Sequence, residues 1–189
     1  ATWALFERAM ETDRLVPAAW GTVVAALTLA CGPTGLAAVG VFLISLPWVL
    51  GTIGRRKATF ASVAPFLGAG MAVMAPVFKD QTLATVLEAT AVRSEVGPAM
   101  SWFEEWSRYS VLFEQTVDGS LARRFPMFVL LMCIGLTLWW LARGGERTKT
   151  AQRMMLIIGF STFFLMFTPT KWTHHFGIYA GLGAAIAAY

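Results

Sequence analysis

The chain's two histidines sit side by side in the run Thr168-Pro169-Thr170-Lys171-Trp172-Thr173-His174-His175. An ammonium, two imidazoles and an indole within five residues are ill suited to covalent chemistry, because no partner completes a nucleophilic triad around them. They are well suited to gripping an anion. Pro169 disfavours helix at the residue before it and so ends the preceding element. Thr170 or Thr173 can then cap a helix starting near His174. Free N–H groups and the positive end of the helix dipole would add to Lys171, His174 and His175, and Trp172 would offer a flat face for a sugar or a lipid unit. Two other readings compete. A metal site favours ligands at i and i+4, whereas adjacent histidines on a helix project about 100° apart, so no metal is expected. Histidines hydrogen-bonded to nearby carbonyls would be purely structural.

A second cationic pair closes the run Asp118-Gly119-Ser120-Leu121-Ala122-Arg123-Arg124. Arg123 and Arg124 either snorkel to lipid phosphates or recognise a phosphate or a carboxylate of the same loop.

The elements that carry these residues are set by lipid. Of 189 residues, 57% are hydrophobic and only 14% charged, against about a quarter charged in soluble domains. No charged residue occurs in Leu15–Gly54, Ala58–Phe78, Phe125–Ala142 or Met154–Thr170, and Trp172–Tyr189 has none beyond its histidines. A spanning helix needs roughly 20 apolar residues, with about 17 tolerable. Gly32-Pro33-Thr34-Gly35 divides the first stretch, which predicts spans near 15–31, 36–53, 59–78, 126–142, 154–169 and 174–189. The expected fold class is therefore all-α integral membrane, a multi-helix bundle. With no initiator Met and a last span running to Tyr189, the sequence reads as a piece of a longer protein.

Loop charges orient the bundle. Arg55-Arg56-Lys57 has no acid beside it, and Arg143, Arg147, Lys149 and Arg153 face a single Glu146, so both loops are expected in the cytoplasm. The connection 79–124 carries five basic and seven acidic residues and is expected outside, together with the turn at Lys171. That loop has helical patterning of its own. One helix is predicted near 81–94, with Asp80 as its cap, and a second near 101–114, with a Ser101–Glu104 capping box and a break at Gly97-Pro98. In the second helix Trp102, Trp106, Tyr109 and Phe113 form one face and Glu104, Glu105 and Arg108 another, the pattern of an interfacial helix with its aromatic face packed on the bundle or walling a groove.

Cys31 and Cys133 fall inside predicted spans and read as neither ligands nor nucleophiles. The net charge of +4 belongs to membrane edges and gives no sign of nucleic acid.

The run Thr168-Pro169-Thr170-Lys171-Trp172-Thr173-His174-His175-Phe176-Gly177 resembles the signature turn of the actinobacterial cell-wall arabinosyltransferases, the Emb proteins targeted by ethambutol. Asp118-Gly119-Ser120-Leu121-Ala122-Arg123-Arg124-Phe125 is similar to a second marker of that family, as are Asp80-Gln81-Thr82-Leu83-Ala84 and Val96-Gly97-Pro98 with Ser101-Trp102-Phe103. The resemblance implies part of a glycosyltransferase-C type transmembrane bundle in the plasma membrane, multi-pass, with its active site outside. It implies transfer of arabinofuranose from decaprenyl-phosphate-arabinose to the arabinan of arabinogalactan or lipoarabinomannan, no cofactor, and work as an Emb homo- or heterodimer. The catalytic aspartate would lie upstream, leaving no catalytic residue here, while His174, His175, Trp172 and Lys171, then Arg123 and Arg124, would meet donor or inhibitor. The competing function is transport or flipping of a lipid-linked anion; a purely structural membrane anchor is a third. Charge-free spans and a polar turn at one edge only speak against transport.

Overall fold

A computed structural model describes residues 1–56, 60–97, 99–115, 121–144 and 149–188, with side chains described outside 60–63 and 121–123. The described residues form helices and turns, with no strand among them. In chain order the helices are α1 (Thr2–Thr12), α2 (Leu15–Cys31), α3 (Ala38–Arg55), α4 (Phe60–Ala72), α5 (Met74–Val77), α6 (Leu83–Val96), α7 (Trp106–Ser110), α8 (Leu121–Ala142), α9 (Lys149–Leu165) and α10 (Ala180–Ala187). Stretches of 3-10 helix over Pro33–Ala37 and Trp102–Glu104 lead into α3 and α7, and another over Thr173–Tyr179 leads into α10. Pro33–Arg55 and Arg124–Ala142 are long and apolar enough to cross a membrane, and Leu15–Cys31 and Ala64–Val77 are shorter apolar helices.

Several boundaries differ from the sequence expectation, each for a local reason. The span expected over 59–78 breaks at Val73, because Pro76 has no N–H to bond the carbonyl of Ala72. α8 starts at Leu121 rather than 126, since Pro126 lies only five residues into it and costs a single intrahelical bond. α6 is capped by Thr82, whose hydroxyl accepts from Thr85 N at 3.3 Å, and not by Asp80. The helix expected from 101 to 114 is a 3-10 turn followed by the short α7, with Ser101 N donating to Glu104 Oε2 at 2.6 Å. The last span does not begin as an α-helix at 174; it begins as 3-10 helix and becomes α only at Ala180. Lys57, Pro98, Asp118–Ser120, Glu146, Arg147 and Tyr189 lie outside the described residues.

α1 was not foreseen. Asp13, in the left-handed region at φ 48°, closes it, and the chain doubles back so that α1 lies along α2 and against α3. Phe6 and Ala9 pack on Ala18, Val41 and Ile157 to form one core, which α9 completes. Ion pairs tie the foot of this hairpin down: Asp13 to Arg55 at 3.2 Å and to Arg56 at 3.4 Å, and buried Glu7 to Arg153 at 2.5 Å. These pairs bring the basic residues that end α3 and begin α9 to one end of the bundle. The Thr168–His175 turn follows the other end of α9, a helix roughly 25 Å long. There a second core of Leu112, Leu130, Leu165, Phe176 and Tyr179 joins the 99–115 segment to α8, α9 and the last helix.

Close packing at the first turn depends on Gly35. A Cβ there would stand 2.3 Å from Leu29 Cα and 2.4 Å from Leu29 N, both backbone atoms that cannot rotate away. Gly35→Ala is therefore expected to destabilise the protein by about 1–3 kcal/mol, the range for overpacking a tight interior. Thermal unfolding of the full-length protein in detergent measures it, with Gly32→Ala, whose Cβ meets open space, as the comparison.

Candidate functional site at the Thr168–His175 turn

α9 unwinds through 3-10 bonds, Met166 N to Phe163 O, Phe167 N to Phe164 O and Thr168 N to Leu165 O. The chain then runs through Pro169 with its carbonyls turned inward, and inward carbonyls require donors. Arg108 supplies half of them. Its guanidinium is wholly buried and donates to Leu165 O (3.3 Å), Thr168 Oγ1 (2.8 Å), Thr170 O (3.3 Å) and Trp172 O (3.0 Å), while Nη1 lies 2.8 Å from His175 Nδ1. Glu105, one helical turn earlier, receives the fork through Arg108 Nε at 2.7 Å and Nη2 at 3.2 Å. Met100 N donates to Pro169 O at 2.8 Å, a further bond between the segment and the turn.

Lys171 belongs to this network too. Its ammonium donates to Met166 O (2.5 Å) and Thr168 O (3.0 Å) and pairs with Glu105 at 3.3 Å, with the side chain buried. The sequence placed Lys171 beside His174 on the anion; the structure turns it into the protein. One carboxylate then serves two buried cations, and backbone carbonyls complete their shells. The α-helix expected to start at this spot is a 3-10 stretch instead, beginning at Thr173 with Trp172 as its N-cap, and Trp172 makes no side-chain cap bond.

His174 is exposed, and Trp172 and His175 are half-buried. The His174 ring lies nearly parallel to that of Trp172, 6.4 Å away at 18°, and edge-on to that of His175 at 4.5 Å. From His174 a groove of about 830 Å³ runs between α8 and the last helix. Thr173, His174 and buried Arg124 stand at one end, where Arg124 donates to the carbonyls of Val111 and Glu114. The wall beyond is apolar, from Phe125 and Leu130 to Cys133 on one side and from Phe176 to Ala187 on the other. Lys171 does not line it, and the side chain of Arg123 lies outside those described. Among the described residues no group of three His, Cys, Asp or Glu is placed to hold a metal.

The 99–115 segment is turned over relative to the expectation. Glu105, Arg108 and Leu112 face inward, while Trp102, Trp106 and Phe113 are mostly exposed; the Tyr109 ring packs 5.5 Å from that of Phe176, and Phe113 keeps an edge of contact with Phe128 at 5.5 Å. The carbonyls of the turn outbid the aromatics for the buried face, because an unpaired buried carbonyl costs more than an indole left at the surface. Burial, reinforced by the charge of Glu105, raises the Tyr109 phenol above its ordinary value and keeps it protonated around neutral pH. Arg108 is the residue that sequence reasoning missed; its signal was the Glu105/Arg108/Leu112 spacing, one polar stripe continuing into an apolar residue.

Comparison with known proteins matches residues 1–189 to the family described as mycobacterial cell wall arabinan synthesis protein. The chain is 45% identical to "Probable arabinosyltransferase B" of Mycobacterium avium, over 99% of this chain and 18% of that protein. It is 41% identical to "Probable arabinosyltransferase C" of Mycolicibacterium smegmatis, over 98% of this chain and 18% of that protein. The cryo-EM structure of arabinosyltransferase EmbB from Mycobacterium smegmatis superposes with a TM-score of 0.76 at 38% identity, over 99% of this chain and 16% of that one. The chain thus spans under a fifth of the relatives it matches, and its fold is an all-α membrane bundle.

Proposed function

Since this chain belongs to the mycobacterial cell-wall arabinan synthesis family, we propose that it forms part of a membrane arabinosyltransferase and holds the polyprenyl-phosphate end of the sugar donor. The observation that carries this reading is the groove: cationic and polar at one end, through His174, Thr173 and Arg124, and apolar along the rest. A lipid phosphate with an isoprenoid tail has that same division. In this reading decaprenyl-phosphate-arabinose lies with its phosphate at His174, Trp172 stacks on the sugar or the first isoprene, and arabinan is the acceptor. The catalytic aspartate belongs to a part of the protein outside these residues. The turn faces the outside of a multi-pass protein of the plasma membrane, opposite the basic ends of α3 and α9. Assembly is as a dimer of Emb-type chains. Arg124 and the N–H of the His174 ring at that end would stabilise the departing lipid phosphate as its charge develops.

A charge-assisted hydrogen bond to phosphate contributes roughly 1.5–3 kcal/mol. His174→Ala in the full-length enzyme is therefore expected to slow arabinosyl transfer from a synthetic polyprenyl-phosphate donor by one to two orders of magnitude, at about 1.4 kcal/mol per decade. Trp172→Ala is expected to weaken donor binding more than turnover. Full activity and donor affinity in both variants, at matched folding, would reduce the turn to scaffolding.

A further inference from the structure

We propose that Arg108 is a positioning residue: it fixes the tautomer of His175 and thereby clamps both flanks of the short turn from which His174 projects. The proposal rests on the donor reading above for its consequence in catalysis, and on geometry alone for its first half.

Arginine is protonated throughout the accessible pH range and has no acceptor. A 2.8 Å contact between its Nη1 and His175 Nδ1 therefore has one sense, the guanidinium donating to an unprotonated ring nitrogen. That leaves the His175 proton on Nε2 and the ring neutral, because an imidazolium would set N–H against N–H. The same Nη1 donates to Trp172 O at 3.0 Å, and that carbonyl also accepts His175 N–H at 3.3 Å. One nitrogen thus holds the residue two before His174 and the residue just after it. Thr173 is buried between them, and Phe176 lies under the guanidinium at 5.8 Å. His174 stands between these two held residues, with its ring facing that of Trp172.

The charged and titratable groups around the clamp are Glu105 and Tyr109 from the 99–115 segment, Lys171 and His174 from the turn, Arg124 from α8, and Tyr179 beyond it. Among the described residues Glu105 is the carboxylate of this set, and it is turned to Arg108 Nε and Lys171.

Residue-resolved labelling with diethyl pyrocarbonate, read by mass spectrometry on the full-length protein in detergent, tests the first half without any turnover. The reagent attacks the unprotonated imidazole nitrogen, which in His175 is the one Arg108 covers. His175 is expected to stay protected from pH 6 to 8 in the wild type. Its labelling should rise at least tenfold in Arg108→Met and by less in Arg108→Lys, which restores one bond but not the fork. Wild-type His175 labelled as fast as exposed His174 would overturn the proposal, and that measurement stands even where Arg108→Met does not fold. Transfer kinetics test the second half. Arg108→Met should raise donor KM about tenfold with a smaller change in kcat, and adding His174→Ala should cost no more than His174→Ala alone. Independent, multiplying losses would show that Arg108 does not act through His174. Should His174→Ala prove silent, the donor reading falls, and the labelling result alone decides whether Arg108 sets the ring.

Discussion

Glu105→Leu is expected to be the most damaging single substitution in the 99–115 segment, at about 3–5 kcal/mol, the cost of leaving a buried charge without its partner. Here it would leave two. Arg108 and Lys171 both rely on that carboxylate, and neither is exposed enough for water to replace it. The informative variant is the double one. Lys171→Met alone should cost about 1–3 kcal/mol, because Met166 O and Thr168 O lose their donor while Glu105 keeps its two-pronged contact with Arg108. In the Glu105→Leu background the same change should be stabilising, since it removes one of the two stranded cations. A reversal of sign between the two backgrounds, measured by thermal unfolding of the full-length protein, marks Lys171 as a structural cation. Were Lys171→Met instead to leave stability untouched and abolish donor affinity, Lys171 would be a ligand residue and the network an incidental one.

The second large effect concerns the groove. Gly177 lines it, and a Cβ added there meets nothing within 4 Å, so a large side chain is accommodated by the backbone and enters the groove. Gly177→Phe is expected to leave the unfolding temperature within a degree or two and to weaken binding of a long-chain polyprenyl-phosphate donor at least tenfold, about 1.4 kcal/mol. A donor analogue truncated to a single isoprene should lose much less, because it has little tail to displace. Equal losses for both analogues would place the tail elsewhere and leave only the phosphate end of the site to His174.

Patterns of charge and hydropathy made the broad architecture readable. The charge-free stretches predicted membrane helices, and Gly32-Pro33 predicted the divide between α2 and α3, because lipid tolerates few charges and proline tolerates few positions. The turn at 168–175 drew notice because its residue types are rare together. What the sequence withheld was direction. Glu105 and Arg108 sit among tryptophans on a segment that reads as interfacial, and charge next to aromatics normally means charge outward. Only the demand of carbonyls some sixty residues away reverses that face, and no local pattern encodes such a demand. Lys171 shows the same limit: its neighbours in sequence suggested an anion, while its partner in space is Glu105. α1 escaped because its Glu7 and Arg8 interrupt an apolar stretch, and Glu7 became acceptable in the interior only through Arg153, far along the chain.

The separation between Arg108 and its partners also has a consequence for biosynthesis. Leu165 O lies 57 residues later in the chain and His175 67 residues later. At synthesis rates of about 5–20 residues per second, Arg108 emerges roughly 3–13 seconds before the last of them exists. During that interval α8 and α9 must be made, while Glu105 is the partner of the guanidinium that already exists. Docking of the segment is therefore a late event, and a chain that stalls before residue 172 carries an Arg108 whose Nη1 has neither Trp172 O nor His175 Nδ1 to meet.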